Sequence, residues 1–190
     1  MTSIFRSVNL VNILFLDVDE VLNCNVNRKS DKQHKNVTFL GINTHDRFHP
    51  LLVENVNKLI KRYDLKIVVS STWRKHFDII TLRDIFKNQL GIVGDVLDYT
   101  TQHTLDHEYR KRIEWEGDAA LPRDRGLQIT HWLLDKKYNV KDYIVLDDSL
   151  DASYGHEEKY HRTFGTRGFD QASYDECIAK FDNVFLNNTL

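Results

Sequence analysis

Two clusters of carboxylates are marked out by where they fall. Asp17 and Asp19 follow the apolar run Asn12–Leu16 (NILFL), with one residue between them. Asp147 and Asp148 follow a second apolar run, Tyr143–Leu146 (YIVL), and Asp151 comes shortly after. One acid behind a strand is ordinary loop chemistry or a helix N-cap. Two clusters brought together would repel strongly unless a cation sat among them. Hard oxygen donors suit Mg²⁺, which favours octahedral coordination and keeps several waters. Asp17, Asp19, Asp147, Asp148 and Asp151 are therefore the acids that could gather around one ion. No zinc pattern competes: His103 and His107 are four apart but lack nearby cysteines or a third spaced ligand.

The elements that must position these acids are legible in outline. Asn12–Leu16, Lys66–Val69 (KIVV) and Tyr143–Leu146 are continuously apolar, as expected of strands covered on both faces of a parallel sheet. They stop at Asp17, Ser70 and Asp147. Val93–Leu97 and Asn183–Leu186 are further strand candidates. Helical spacing predicts helices over about 51–62, around Leu82–Phe86, over about 125–137, and through Tyr174, Ile178 and Phe181. Alternating strands and helices imply an α/β fold with a doubly wound, mostly parallel sheet. Right-handed crossovers bring the carboxyl ends of such strands to one edge, where ligands bind. Asp17, Ser70 and Asp147 should converge there.

The 190 residues suit one domain with one sizeable core. Two polar stretches, 23–50 and 99–124, fit no regular element and are longer than ordinary connections, so each is either disordered or a functional, cap-like insertion. The second holds Tyr109, Trp115 and the basic run Arg110–Arg112, by default a solvated face. A net charge of −2 gives no global bias towards nucleic acid or membrane. Cys24 and Cys177 make no disulfide framework, and the N-terminal apolar run is too short for a leader or membrane span. A cytoplasmic setting is expected, with no membrane partner.

With these residues in view, the chain resembles the haloacid-dehalogenase superfamily. NILFLDVDEVLN at Asn12–Asn23 is similar to its first motif, KIVVS at Lys66–Ser70 to its second, and YIVLDDSLD at Tyr143–Asp151 to its fourth. The motifs come in the family's order and frame most of the chain. SSTWR at Ser70–Arg74, RGLQITHWL at Arg125–Leu133 and the closing GFD at Gly168–Asp170 resemble a compact subgroup that includes domains associated with RNA-repair proteins.

The resemblance implies a Mg²⁺-dependent phosphomonoester hydrolase in which Asp17 is the nucleophile and becomes an aspartyl-phosphate. Asp19 would protonate the leaving oxygen and then activate water, its backbone carbonyl serving as a metal ligand. Asp148 aligns with the family's direct metal ligand, with Asp147 beside it as a ligand or orienting acid. Asp151 would act through water or cap a helix. Ser70 would donate to the phosphoryl group, or Ser71 if the register shifts by one. Arg125, or its rival Arg123, would be the cation of the third motif. Glu20 departs from the family, which often has glycine there.

Trp73 and Arg74 could stack on a base and grip a phosphate, or could anchor the next helix. The implied substrate is a nucleotide or a nucleic-acid terminal phosphate. A small-metabolite phosphatase, such as one for a sugar phosphate, and a non-catalytic phosphate or nucleic-acid binding module are the alternatives.

Overall fold

The computed structural model describes residues 10–24, 35–39, 42–101, 124–135 and 137–186. Five strands form one all-parallel sheet in the order β5-β4-β1-β6-β7. These are β1 (Leu10–Leu16), β4 (Leu65–Val69), β5 (Val96–Tyr99), β6 (Asn139–Asp147) and β7 (Tyr160–Arg162). The helices are α1 (Pro50–Tyr63), α2 (Ile79–Asp84), α3 (Asp124–Leu134) and α4 (Gln171–Leu186). The α2 helix runs on through a wider π turn, Ile85–Leu90.

The expected α/β architecture is present. Leu14, Leu16, Ile67, Val69, Ile144 and Leu146 pack into a core with Val56, Leu59 and Ile60 of α1 and Cys177, Phe181 and Phe185 of α4. Their strand neighbours Ile13, Phe15, Val68 and Val145 join Ile129 and Trp132 of α3 in a second core. Both faces of the central strands are dry, so their sequences are apolar without alternation. Each fully buried side chain of this size contributes about 1.5–3 kcal/mol.

Local chemistry fixes the helix that follows the first insertion. His49 caps α1, its Nδ1 accepting from the Leu51 N–H at 3.2 Å. Pro50 stands at the first turn, where a missing N–H costs nothing. Asp64 closes the helix in the left-handed conformation with φ 49°, its N–H donating to the Ile60 carbonyl.

Several boundaries differ from the sequence reading. Asn183–Leu186 is the last turn of α4 rather than a strand, because Phe181 and Phe185 continue the helical spacing into the core. The strand expected at Val93–Leu97 lies at Val96–Tyr99. The first insertion contains an antiparallel pair, β2 (Lys35–Phe39) with β3 (Ile42–Phe48), which its polar composition concealed. Of the second insertion, Tyr109, Trp115, Arg110–Arg112, His103, His107 and Arg123 lie outside the described residues. Among the described residues, no helix is long and apolar enough to cross a membrane.

Candidate active site

The register of three strands assembles the site. Leu16 lies opposite both Val69 and Leu146. The ladder runs one step further, with the Asp17 N–H on the Leu146 carbonyl at 3.0 Å and the Ser70 N–H on the Leu16 carbonyl at 2.9 Å. Asp17, Ser70 and Asp147 therefore leave the sheet side by side at its carboxyl edge.

Asp17 is buried, and its carboxylate is heavily engaged. Oδ1 accepts from the Val18 N–H at 2.8 Å, and Oδ2 accepts from Arg125 Nη1 at 2.7 Å. The Ser71 hydroxyl also hydrogen-bonds to it. Burial pushes the Asp17 carboxyl above its usual range, against the opposing pull of Arg125 and these donors. Asp147 is fully buried and takes the same Arg125 nitrogen on both oxygens at 2.7 Å. Its Oδ1 also accepts from the Ser149 N–H at 2.9 Å. Burial and then the charge of Asp17 hold its carboxyl well above the ordinary value. Half-buried Asp148 is pushed up to about 7, first by burial, then by the charges of Asp17 and Glu20 and a hydrogen bond with Asp17.

Three carboxylates thus face one guanidinium. Carboxylate oxygens of Asp17, Asp147 and Asp148 lie within 4.8 Å of one another. Two unit charges 4 Å apart cost about 4 kcal/mol at an effective dielectric of 20, so the cluster is under-neutralised by Arg125 alone. Oxygens bound to one Mg²⁺ at 2.0–2.1 Å stand at most about 4.2 Å apart, so a small closure of this group would let all three acids share one ion. Donor type, spacing and excess negative charge all fit a hard divalent cation.

Asp19 stands outside that group. Its Oδ1 accepts from Asn23 Nδ2 at 3.1 Å and its Oδ2 from Trp73 Nε1 at 3.2 Å. Each oxygen has one neutral donor, which fixes the rotation of the carboxylate. Asn23, buried, also accepts the Glu20 N–H on its Oδ1 at 2.7 Å. Sequence reasoning missed Asn23; its signal is an amide four residues after the acid in a tight turn. Glu20 has φ 60°, the left-handed region that favours glycine, which gives a backbone reason for the family's habit at this position.

Trp73 does not offer a stacking face. The indole is 5% exposed, with Phe48 against it at 5.5 Å edge-on and Phe77 at 5.3 Å tilted. Of the two roles open to it, this packing is that of a core anchor, and its one polar atom points at Asp19. Arg74 also turns inward. Nη1 donates to the Ser71 carbonyl at 2.6 Å and Nη2 to Gln128 Oε1 of α3, so it clamps the turn after β4 to that helix. Burial, then the charge of Arg125, lowers its pKa. Of the two serines, Ser71 presents its hydroxyl to Asp17, whereas the Ser70 hydroxyl is buried without a hydrogen-bond partner.

Arg125 owes its position to the start of α3. Its N–H donates to Asp151 Oδ2 at 3.4 Å, so Asp151 engages the helix N-terminus. The next residue must be glycine: a Cβ on Gly126 would lie 2.4 Å from the Tyr154 carbonyl oxygen and 3.0 Å from that of Asp151. His156 completes the seam, with Nε2 at 2.9 Å from the Gly126 carbonyl and Nδ1 at 2.8 Å from the Tyr143 hydroxyl. A neutral ring with its proton on Nε2 satisfies both contacts, in keeping with burial lowering its pKa. Burial works against the charge of Arg125, but Asp17 and Asp147 raise its pKa overall.

No curated protein sequence matches the chain. One family model does, that of the HAD domain in Swiss Army Knife RNA repair proteins, over residues 13–174. The match covers both carboxylate clusters, Ser71, Arg125 and the five-stranded sheet from Ile13 of β1 onwards. A haloacid-dehalogenase domain implies a phosphatase-type hydrolase, and the acidic cluster can hold a metal. By its sheet, its ordered motifs and this match, the chain belongs to the family of haloacid-dehalogenase domains found in Swiss Army Knife RNA repair proteins.

Proposed function

We propose that the protein is a Mg²⁺-dependent phosphomonoesterase working through an aspartyl-phosphate on Asp17. One observation carries this reading: Arg125 Nη1 bridges Asp17 and Asp147, with Asp148 within ligand range of both. Such a cluster suits a dianionic phosphoryl group only if further positive charge joins it. Asp17, Asp147, Asp148 and the backbone carbonyl of Asp19 would hold Mg²⁺, which supplies that charge.

The chain's own groups perform the rest. An ionised Asp17 attacks phosphorus; its O–P bond forms as the bond to the leaving oxygen breaks. Asp19 gives that oxygen its proton. Asp19 then takes a proton from water as the water oxygen attacks phosphorus. Phosphate departs, Asp17 is restored, and Asp19 again carries a proton. Ser71 and Arg125 donate to the phosphoryl oxygens and offset their charge. Trp73 and Asn23 act as positioning residues, holding Asp19 by one hydrogen bond to each oxygen. A nucleotide or a nucleic-acid terminal phosphate is the substrate we favour, supported by the RNA-repair setting of the family.

Phosphate release from p-nitrophenyl phosphate, with and without Mg²⁺, tests the chemistry. Asp17→Asn keeps shape and removes the attacking charge, so turnover should vanish while the fold persists. Retention of more than a few per cent of activity would falsify the covalent mechanism. Beryllofluoride, a phosphoryl mimic, should bind only when Asp17 is intact.

A further inference from the structure

An aromatic side chain stands in the open beside this site. β7 is the edge strand next to β6, with Arg162 opposite Asp147. The loop Thr163–Gly168 therefore leaves the sheet at the edge where Asp17 and Ser71 lie. Three contacts pin it there. The Thr163 N–H donates to the Asp147 carbonyl at 3.0 Å, and the Phe169 N–H donates to the Val21 carbonyl at 2.9 Å. Gly165 lies so close to Glu20 that a Cβ there would fall 2.0 Å from the Glu20 carboxylate. Within the loop, the Phe164 carbonyl accepts from the N–H groups of Arg167 and Gly168, both at 2.8 Å.

Phe164 is 45% exposed on this pinned loop. The Arg162 guanidinium lies 5.1 Å from its ring centroid and that of Arg167 5.6 Å. Exposure alone means little, since Leu10, Ile80 and Leu134 are more exposed and lie elsewhere. The pairing is what distinguishes Phe164: two guanidiniums on an open ring, one strand away from the acids of the candidate phosphoryl site, in a chain of net charge −2. Arg162 Nε donates to the Asp148 carbonyl at 3.1 Å, which ties the group to the site. Arg167 meets Asp170 only at 3.9 Å in the open, a pair that engages little of its charge.

With the Asp17 site read as a phosphomonoesterase, we propose that Arg162, Phe164 and Arg167 bind the end of a single-stranded nucleic acid. The terminal phosphate lies at Asp17. The base of that nucleotide stacks on Phe164 and its guanidiniums, and the next phosphodiester meets Arg167. Rings and guanidiniums stack on any base, which suits an enzyme that acts on ends irrespective of sequence. Single strands present unstacked bases to such a surface, whereas a blunt duplex does not.

The test measures fluorescence anisotropy of labelled single-stranded oligonucleotides, carrying a 5′- or a 3′-terminal phosphate, against the full chain with Asp17→Asn to block turnover. Added Phe164→Ala should weaken binding about 5- to 150-fold. Added Arg167→Gln should weaken it and flatten the salt dependence of log Kd by about 0.7. On the wild-type background, both variants should hydrolyse p-nitrophenyl phosphate, which has neither base nor second phosphate, at the parent rate. Unchanged oligonucleotide affinity would overturn the proposal, as would a parent that binds neither oligonucleotide. Equal losses on p-nitrophenyl phosphate would overturn it too, reducing the loop to a structural support. Oligonucleotide binding through these residues, with no phosphate released by the wild-type chain, would refute the Asp17 chemistry instead, and leave the surface standing.

Discussion

Replacing Trp73 by phenylalanine removes one N–H and keeps an aromatic body between Phe48 and Phe77. The hydrogen bond lost runs from Nε1 to Asp19 Oδ2 at 3.2 Å. A hydrogen bond to a charged group is worth about 1.5–3 kcal/mol, and this length places it in the lower half, about 1.5–2 kcal/mol. If that energy serves to orient Asp19 in the transition state, the rate falls about 10- to 30-fold. The 10²- to 10⁴-fold loss typical of deleting an acid–base group outright is larger. The two half-reactions should respond differently. p-Nitrophenolate leaves with little help from an acid, so phosphorylation of Asp17 keeps its speed on p-nitrophenyl phosphate. Hydrolysis of the aspartyl-phosphate still needs Asp19 as base and slows. Stopped-flow absorbance should therefore show a burst approaching one equivalent of p-nitrophenolate, followed by a reduced steady rate. An alkyl phosphate, with its basic leaving group, should lose activity in the first step and show no burst. A variant that stays folded and keeps its rate within twofold on both substrates would refute the positioning role.

The remaining predictions concern the metal, the helix seam and pH. Asp148→Asn should raise the Mg²⁺ concentration for half-maximal rate at least about tenfold; Asp151→Asn should lower kcat by loosening Arg125 while leaving that concentration nearly unchanged, and full activity in EDTA would sink the metal assignment. Gly126→Ala must push backbone against backbone, so denaturant titration should show a loss of about 1–3 kcal/mol together with reduced turnover. Burial, and then the charge of Lys180, lowers the pKa of His161 from 6.5 to about 4. Below pH 6.5 the unfolded chain takes up a proton that the folded chain refuses, so this residue's contribution is complete above 6.5 and is lost as pH falls towards 4. The contribution is roughly 3 kcal/mol, and His161→Asn should flatten that part of the stability-against-pH curve.

What the sequence disclosed follows from how each feature is encoded. The three central strands were legible because both faces are buried, which makes NILFL, KIVV and YIVL continuous apolar runs with polar stops at the site. β7 has three residues and a polar-rich sequence, so nothing local marks it. Asn183–Leu186 reads as a strand in isolation, and only its continuity with Phe181 reveals a helix. The acids stood out because charge behind a buried strand is unusual, whereas Arg125, at a helix start, was suggested only by the resemblance to the family's third motif. The inward turn of Trp73 was not, since it depends on Phe48 from the end of β3. Arg162, Phe164 and Arg167 lie within six residues of one another, but nothing in that run puts them beside the acids until Asp147 pairs with Arg162.

The strand order has a consequence for how the protein is made. β1 lies between β4 and β6, with Leu10 facing Asn139. A ribosome-bound chain that has emerged only through β5 can pair β1 on one side alone, and Asp17 then lacks the Leu146 carbonyl that holds its backbone. Arg125, Asp147 and Asp148 are still to come. The loop after β1, held earlier by His49 and Trp73, gains its contact with Phe169 at the Val21 carbonyl later still. Contacts this distant in sequence form slowly, because loop closure precedes its reward. The strand that leads to Asp17 is thus synthesised first among those of the sheet and completed among the last, so a nascent chain carries Asp17 before the neighbours of the proposed site exist.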